Sequence, residues 1–288
     1  MFILNCKGRL LVIDRPVVMG IINVTPDSFY AGSRKSSVDD VLRQTEKMLN
    51  EGAGIIDVGG QSTRPGSEAI SLKEELSRVI PAIEAIYHRF PESFISIDTY
   101  HSAVAKEAVA AGASLVNDIS SGTLDKQMIP MAASLQVPYI AMHMKGTPAT
   151  MQQHANYKDV ALEVLNFFIK KTEECKKAGI NDIIIDVGFG FAKTIAHNFA
   201  LLKNLSIFKM LQKPILAGLS RKATVYKTLG TTAEEALNGT TVLNTIVLQN
   251  GADILRVHDV KEAVDAVKLV EALVSNNLKL NQKWQDIF

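Results

Sequence analysis

Two short apolar runs end in groups that a buried strand does not ordinarily carry. Ala217-Gly-Leu-Ser-Arg-Lys222 closes on Lys222, with Ser220 and Arg221 just before it. In Ile254-Leu-Arg-Val-His-Asp259 the cations Arg256 and His258 alternate out of the run. Strands covered on both faces read as near-continuous apolar runs, and an unpaired charge inside one costs on the order of several kcal/mol. Cations at the ends of such runs therefore point to an anionic or carbonyl-rich partner. Further apolar runs end alike: Asn23, then Asp57 with the following Thr63 and Arg64, Asp98, Asn117 with Asp118, His143, and Asp186.

The residue types suggest a chemistry. Asp98 and Asp186 can accept from ring N–H and amino groups, Asn117 can accept and donate, and Lys222 can donate to a carbonyl or ring nitrogen. Together they complement a flat heterocycle with an amide-like edge. Arg256, His258 and Arg64 suit phosphate oxygens. Asn23 offers a neutral oxygen that, with phosphate oxygens and water, suits Mg²⁺. A hydrogen bond internal to the fold accounts equally well for any one Asp or Asn, but not for the whole set. Asp57 and Asp118 are read as alternating away from their neighbours and as structural. No His/Cys cluster has zinc spacing, and His88, His101, His154 and His197 fall in loop or surface patterns.

The elements that must position these groups follow one rhythm. Residues 2–13 read as a β-hairpin turning at Lys7-Gly8, a structural flap over one end of the core. Eight apolar strands then follow, at about 17–25, 55–60, 94–98, 115–119, 139–143, 183–187, 214–218 and 254–258. Helical patterns lie between and after them, including 157–178, 199–211, 233–248 and 261–274. Eight such strand–helix units predict a (β/α)8 TIM barrel, whose site lies at the C-terminal ends of the strands. A doubly wound open sheet would carry a Gly-rich dinucleotide turn after its first strand; here that turn is Thr-Pro-Asp-Ser-Phe. With no linker or low-complexity stretch, residues 1–288 are expected to form one domain.

Composition narrows the partners. The 31 basic and 30 acidic residues nearly cancel, which leaves no electrostatic footprint for nucleic acid or an anionic membrane. The two cysteines, Cys6 and Cys175, are far apart and suggest no disulfide framework. The N-terminal apolar run is too short for a signal peptide, and no run is long enough to span a bilayer. A cytoplasmic protein is expected.

At these residues the chain resembles the dihydropteroate synthases, folate-biosynthesis transferases on a pterin-binding (β/α)8 barrel and targets of sulfonamides. The matching motifs run in order. They begin with Gly20-Ile-Ile-Asn-Val-Thr-Pro-Asp-Ser-Phe29, Asp57-Val-Gly-Gly-Gln-Ser-Thr-Arg-Pro-Gly66, Ser96-Ile-Asp-Thr99 and Val116-Asn-Asp118. They continue with His143-Met-Lys-Gly-Thr-Pro148, Asp186-Val-Gly-Phe-Gly-Phe191, Ser220-Arg-Lys222 and Arg256-Val-His-Asp259. The resemblance implies condensation of 6-hydroxymethyl-7,8-dihydropterin diphosphate with p-aminobenzoate, giving 7,8-dihydropteroate and pyrophosphate. It implies that Asp98, Asn117, Asp186 and Lys222 hold the pterin, and that Asn23, Arg256 and His258 hold the diphosphate and its Mg²⁺. It also implies two mobile loops, one at Thr25 to Phe29 and one with Thr63 and Arg64. Phe189, Lys222 and the segment around Ser220 would line the p-aminobenzoate site. Asp98, Asp186, Lys222 and Arg64 would be catalytic, and a homodimer through late helices is implied.

Some positions depart from the family pattern. Gln61 replaces a common acid, Lys145 a Gln, Val187 a Pro, Ala192 a Gly and Ala223 a Ser. Without that hydroxyl, a weaker hold on the p-aminobenzoate carboxylate is expected. Two rival readings share the pterin contacts: a methyl-transferring pterin barrel and a non-catalytic paralogue. Neither needs the diphosphate residues Ser220 to Lys222, Arg256, His258, Thr63 and Arg64.

Overall fold

The computed structural model describes residues 1–24, 34–61 and 70–285. The hairpin comes first: β1 (Phe2–Cys6) pairs antiparallel with β2 (Arg9–Ile13). Its turn places Lys7 at φ 55° and Gly8 at φ 83°, a left-handed pair that explains the glycine. The barrel strands are β3 (Val17–Asn23), β4 (Ile55–Gly59), β5 (Phe94–Asp98), β6 (Leu115–Asp118), β7 (Tyr139–Met142), β8 (Ile183–Asp186), β9 (Ile215–Ala217) and β10 (Ile254–Val257). All pair parallel with their chain neighbours, and β10 closes on β3, with Ile254 opposite Val17.

The helices follow as expected, with three differences. They are α1 (Arg34–Asn50), α2 (Leu72–Arg89), α3 (Ser102–Ala111), α4 (Met128–Leu135), α5 (Val160–Ala178), α6 (Ile195–Lys203), α7 (Ala223–Leu229), α8 (Leu237–Gln249) and α9 (Val260–Gln285). The helix expected over 199–211 ends instead at Asn204, whose side-chain amide donates to the Ala200 carbonyl; a 3₁₀ stretch, Leu205–Leu211, follows. The helix expected over 233–248 is preceded by the short α7, stopped by Gly230 at φ 67°. The last helix runs on past 274. Elsewhere the local chemistry is regular: α5 starts where the Asp159 carboxylate accepts from the Ala161 and Leu162 amides and stops at left-handed Gly179, as caps of these types do.

Strand residues alternate between two cores. The outward set, with Ile56, Ile97, Val116 and Ile185 all buried, packs under the helices, against side chains such as Phe168 of α5. The inward set begins, at the N-terminal end, with an apolar plug: Met19, Ile55, Leu115, Ile140, Ile184, Leu216 and Ile254 pack against Leu4, Cys6, Leu11 and Ile13 of the hairpin. Arg9 ties the hairpin down by donating to the carbonyls of Pro91 and Glu92 and lying 4.6 Å from the Phe94 ring centre. The Asn5 amide donates to Asp182, just before β8, at 2.7 Å. Among the described residues no helix is long and apolar enough to cross a membrane.

Candidate active site

Two residues further along four of the strands, the inward positions turn polar. Above Ile55 comes Asp57, above Leu115 Asn117, above Ile184 Asp186 and above Ile254 Arg256. On β5 Ser96 and Asp98 occupy the same face. One cluster centres on Arg256. Its Nε donates to Asp57 Oδ2 and its Nη2 to Asp98 Oδ2, both at 2.6 Å. Asn117 Nδ2 donates to the same Asp57 oxygen at 3.1 Å. Burial opposes the Arg256 charge, but Asp57 and Asp98 outweigh it and hold the guanidinium above its usual pKa. Burial pushes Asp98 up to about 7, with Arg256 opposing the rise and Asp57 adding to it.

A second cluster lies across the barrel, where β8 meets β9. Asp186 Oδ1 accepts from the Gly188 amide at 2.8 Å. Burial raises its pKa, and the Lys222 ammonium offsets part of that rise. Lys222 Nζ donates to the Phe189 carbonyl at 2.6 Å and lies 4.7 Å from the Phe191 ring centre. Burial brings its pKa down to about 8 against the pull of Asp186. The intervening turn needs glycine: at Gly188, φ 70°, an added Cβ would lie 2.1 Å from the His143 carbonyl oxygen.

The remaining sequence candidates distribute unevenly. Ser220 Oγ lies 3.0 Å from His258 Nδ1 and accepts from the His258 amide, joining the ends of β9 and β10. Arg221 turns away and forks onto Asp259 at 2.8 and 2.9 Å, holding the turn before α7. Asn23 ends β3 half-buried. His143 is buried, and burial with nearby Lys193 drives its pKa down to about 2, so it stays neutral. Thr63, Arg64 and the segment Thr25 to Phe29 lie outside the described residues.

Two readings need correction. Asp57 does not alternate away from the site; it is in phase with Ile55 and Gly59, and among the described residues its carboxylate bonds only Arg256 and Asn117. Asp118, by contrast, is structural as expected, accepting from Tyr139 Oη, the Ser120 amide and hydroxyl, and the Gly122 amide. Phe189 does not line the mouth with its ring, which is fully buried in the outer core; only its carbonyl reaches Lys222, and Phe191 presents the ring there. Sequence reasoning also missed Lys193. It is buried, donates to the Gly188 and Phe191 carbonyls at 3.0 Å, and lies 3.0 Å from His143 Nδ1. Its only signal was a lysine inside an apolar stretch.

The arrangement offers three buried carboxylates, a carboxamide, a guanidinium and an ammonium around the barrel mouth, with an imidazole at the rim. Among the described residues no group of three His, Cys, Asp or Glu side chains could hold a metal alone.

Comparison with known proteins agrees with this geometry. Residues 19–258 match the model of the pterin binding enzymes. The dihydropteroate synthase of Escherichia coli (strain K12) is 43% identical over 284 residues, covering 98% of this chain and 99% of that protein. The structure of Xanthomonas albilineans dihydropteroate synthase with 4-aminobenzoic acid superposes with TM-score 0.88 at 39% identity, covering 94% of this chain and 97% of that one. The same enzyme in complex with 7,8-dihydropteroate gives TM-score 0.85 at 38% identity, covering 94% and 98%. The chain therefore belongs to the pterin binding enzymes, and among them to the dihydropteroate synthases, transferases of folate biosynthesis.

Proposed function

We propose that the barrel mouth joins 6-hydroxymethyl-7,8-dihydropterin diphosphate to p-aminobenzoate and releases pyrophosphate. The observation that carries this reading is the facing pair of clusters, Asp57–Arg256–Asp98 with Asn117 on one side and Asp186–Lys222 on the other. Asp98, Asn117 and Asp186 accept from and donate to the pterin edge, and Lys222 donates to its carbonyl or ring nitrogen. Arg256 uses Nε and Nη2 on its carboxylates, which leaves the Nη1 edge for the diphosphate. His258, at the rim, takes the same group, and Thr63 and Arg64 belong to this reading through the motif they occupy. Phe191 and the Ser220 segment flank the p-aminobenzoate.

Departure of the diphosphate leaves a methylene cation delocalised into the dihydropterin ring. Asp98 and Asp186 stabilise that charge at close range in a low-dielectric site. The arylamine then attacks carbon and loses its proton afterwards, while exclusion of water protects the cation. Asn23 fits a hard cation: a neutral oxygen at a strand end, completed by phosphate oxygens and water, is how Mg²⁺ is commonly held. Such an ion would take up charge on the leaving diphosphate. We read the chain as one domain and as a cytoplasmic homodimer. The free buried thiols of Cys6 and Cys175 support the first location, and the exposed apolar side chains Val242, Leu269 and Leu273 on α8 and α9 support the pairing.

Asp186→Ala tests the assignment. Turnover should fall by roughly 1000-fold, as when a preorganised charge partner is removed. Turnover within threefold of the wild type would end the role given to Asp186.

A further inference from the structure

The mouth residues proposed to meet substrate are themselves held, and the grip comes from one carboxylate. Asp57 is 0% exposed, one inward step below Gly59 and Asp98 on the strand face, so it does not reach a ligand in the mouth. Its Oδ2 accepts from Arg256 Nε and from Asn117 Nδ2. Its Oδ1 has no hydrogen-bond partner among the described residues. Asp118 differs in this respect: its bonds run to Tyr139, Ser120 and Gly122 and hold the chain itself together. A carboxylate with no bond to backbone, and whose two partners both face the site, is poorly explained as a support of the fold.

We propose that Asp57 is a positioning residue for the pterin diphosphate, acting through Arg256 and Asn117. The inference rests on the reading of the mouth given above. Asp57 spans from β4 to β10 on one side and to β6 on the other, so one oxygen fixes the guanidinium and the carboxamide relative to each other. It also divides the Arg256 charge. With Asp57 ionised, Arg256 is shared between two carboxylates; without that charge Asp98 is left as its only ion-pair partner among the described residues. Asp98 would then be closed by an ion pair and less able to accept from the pterin. Removal of Asp57 charge thus weakens the pterin side twice, by loosening Asn117 and by occupying Asp98. The p-aminobenzoate side, flanked by Phe191 and the Ser220 segment, has no bond to Asp57 among the described residues.

The test is Asp57→Asn, with steady-state constants for each substrate and a thermal melt. The KM for the pterin diphosphate should rise roughly 10-fold or more while that for p-aminobenzoate stays within about twofold. A purely structural role would lower the folded fraction, and with it the apparent kcat, and would move neither KM. Unchanged KM values, or a rise shared by both substrates, overturn the proposal. Asp57→Asn leaves Arg256 short of a partner and can compromise folding, so a double variant, Asp57→Asn with Arg256→Gln, removes both charges together. Its pterin diphosphate KM should match that of Arg256→Gln alone within about twofold, because coupled residues are not additive; a further 10-fold rise overturns the proposal. Wild-type protein without dihydropteroate formation would instead defeat the functional reading. An active wild type impaired by Arg256→Gln but indifferent to Asp57→Asn would defeat this inference alone.

Discussion

The two ends of the barrel use the same strands for opposite purposes. At the N-terminal end Ile55, Leu115, Ile184 and Ile254 point inward and meet the hairpin residues Leu4, Leu11 and Ile13. One inward position later the same strands present Asp57, Asn117, Asp186 and Arg256. A step of about 6.6 Å along a strand separates a dry plug from a set of buried charges. The plug contributes stability by removing apolar surface from water. The mouth spends some of it, since burial raises Asp98 and Asp186 and lowers Lys222 and Lys193. The lesson is that hydrophobic closure at one end permits uncomfortable ionisable groups at the other.

That contrast can be broken at either end. Lys222→Met should reduce kcat/KM roughly 100- to 1000-fold, since a charge-assisted donor to the pterin is lost; steady-state kinetics with the melting temperature taken alongside would separate this from unfolding. One position below Asp186, Ile184→Ala should destabilise the fold by about 2–5 kcal/mol, the usual loss for a buried Ile. The kcat per folded molecule should stay within about twofold. Denaturant titration and active-site counting check both parts, and a large kcat loss would mean that the ends are not separable.

The pH dependence sharpens the comparison further. With Asp98 at about 7 and Lys222 at about 8, kcat/KM for the pterin diphosphate should follow a narrow bell. It should fall roughly tenfold per unit below the first value and above the second. The stability sign is opposite to that of a paired surface carboxylate. Asp98 has a folded pKa above its ordinary 3.8, so its contribution is present below about pH 4 and lost as pH rises through about 7. Relative to the wild type, Asp98→Asn should therefore gain in melting temperature as the pH is raised from 4 to 8. The smallest expected effect is at Ala223, the first residue of α7. Ala223→Ser should lower the p-aminobenzoate KM by about two- to threefold by adding one hydroxyl donor; an unchanged KM would remove the significance given to this position.

Much of the mouth was legible because charges are conspicuous inside apolar strands. Asp98, Asn117, Asp186, Lys222 and Arg256 all stand at or just past strand ends, as their runs indicated. What failed was phase. Asp57 was read as pointing away, although alternation from Ile55 puts it inward, because the start of that strand was not anchored to a known inward residue. Phe189 was expected at the p-aminobenzoate site from the family motif alone, and β8 stops at Asp186, so no strand periodicity says which ring faces the mouth. Gly188 and Gly190, at φ 70° and 83°, turn the chain tightly there, and the Phe191 ring is the one that lies near Lys222. Lys193 became interpretable only with the carbonyls around it, which belong to turns rather than to a periodic element. The break at Asn204 is likewise local, a side chain satisfying a helix-end carbonyl that periodicity does not see.

The most direct test of the mouth as a transferase site is pyrophosphate release by the full chain, with dihydropterin diphosphate, Mg²⁺ and p-aminobenzoate each omitted in turn. Release that needs all three, with dihydropteroate formed in equal amount, is the predicted result. Tight pterin binding without release, or release that ignores p-aminobenzoate, would contradict it.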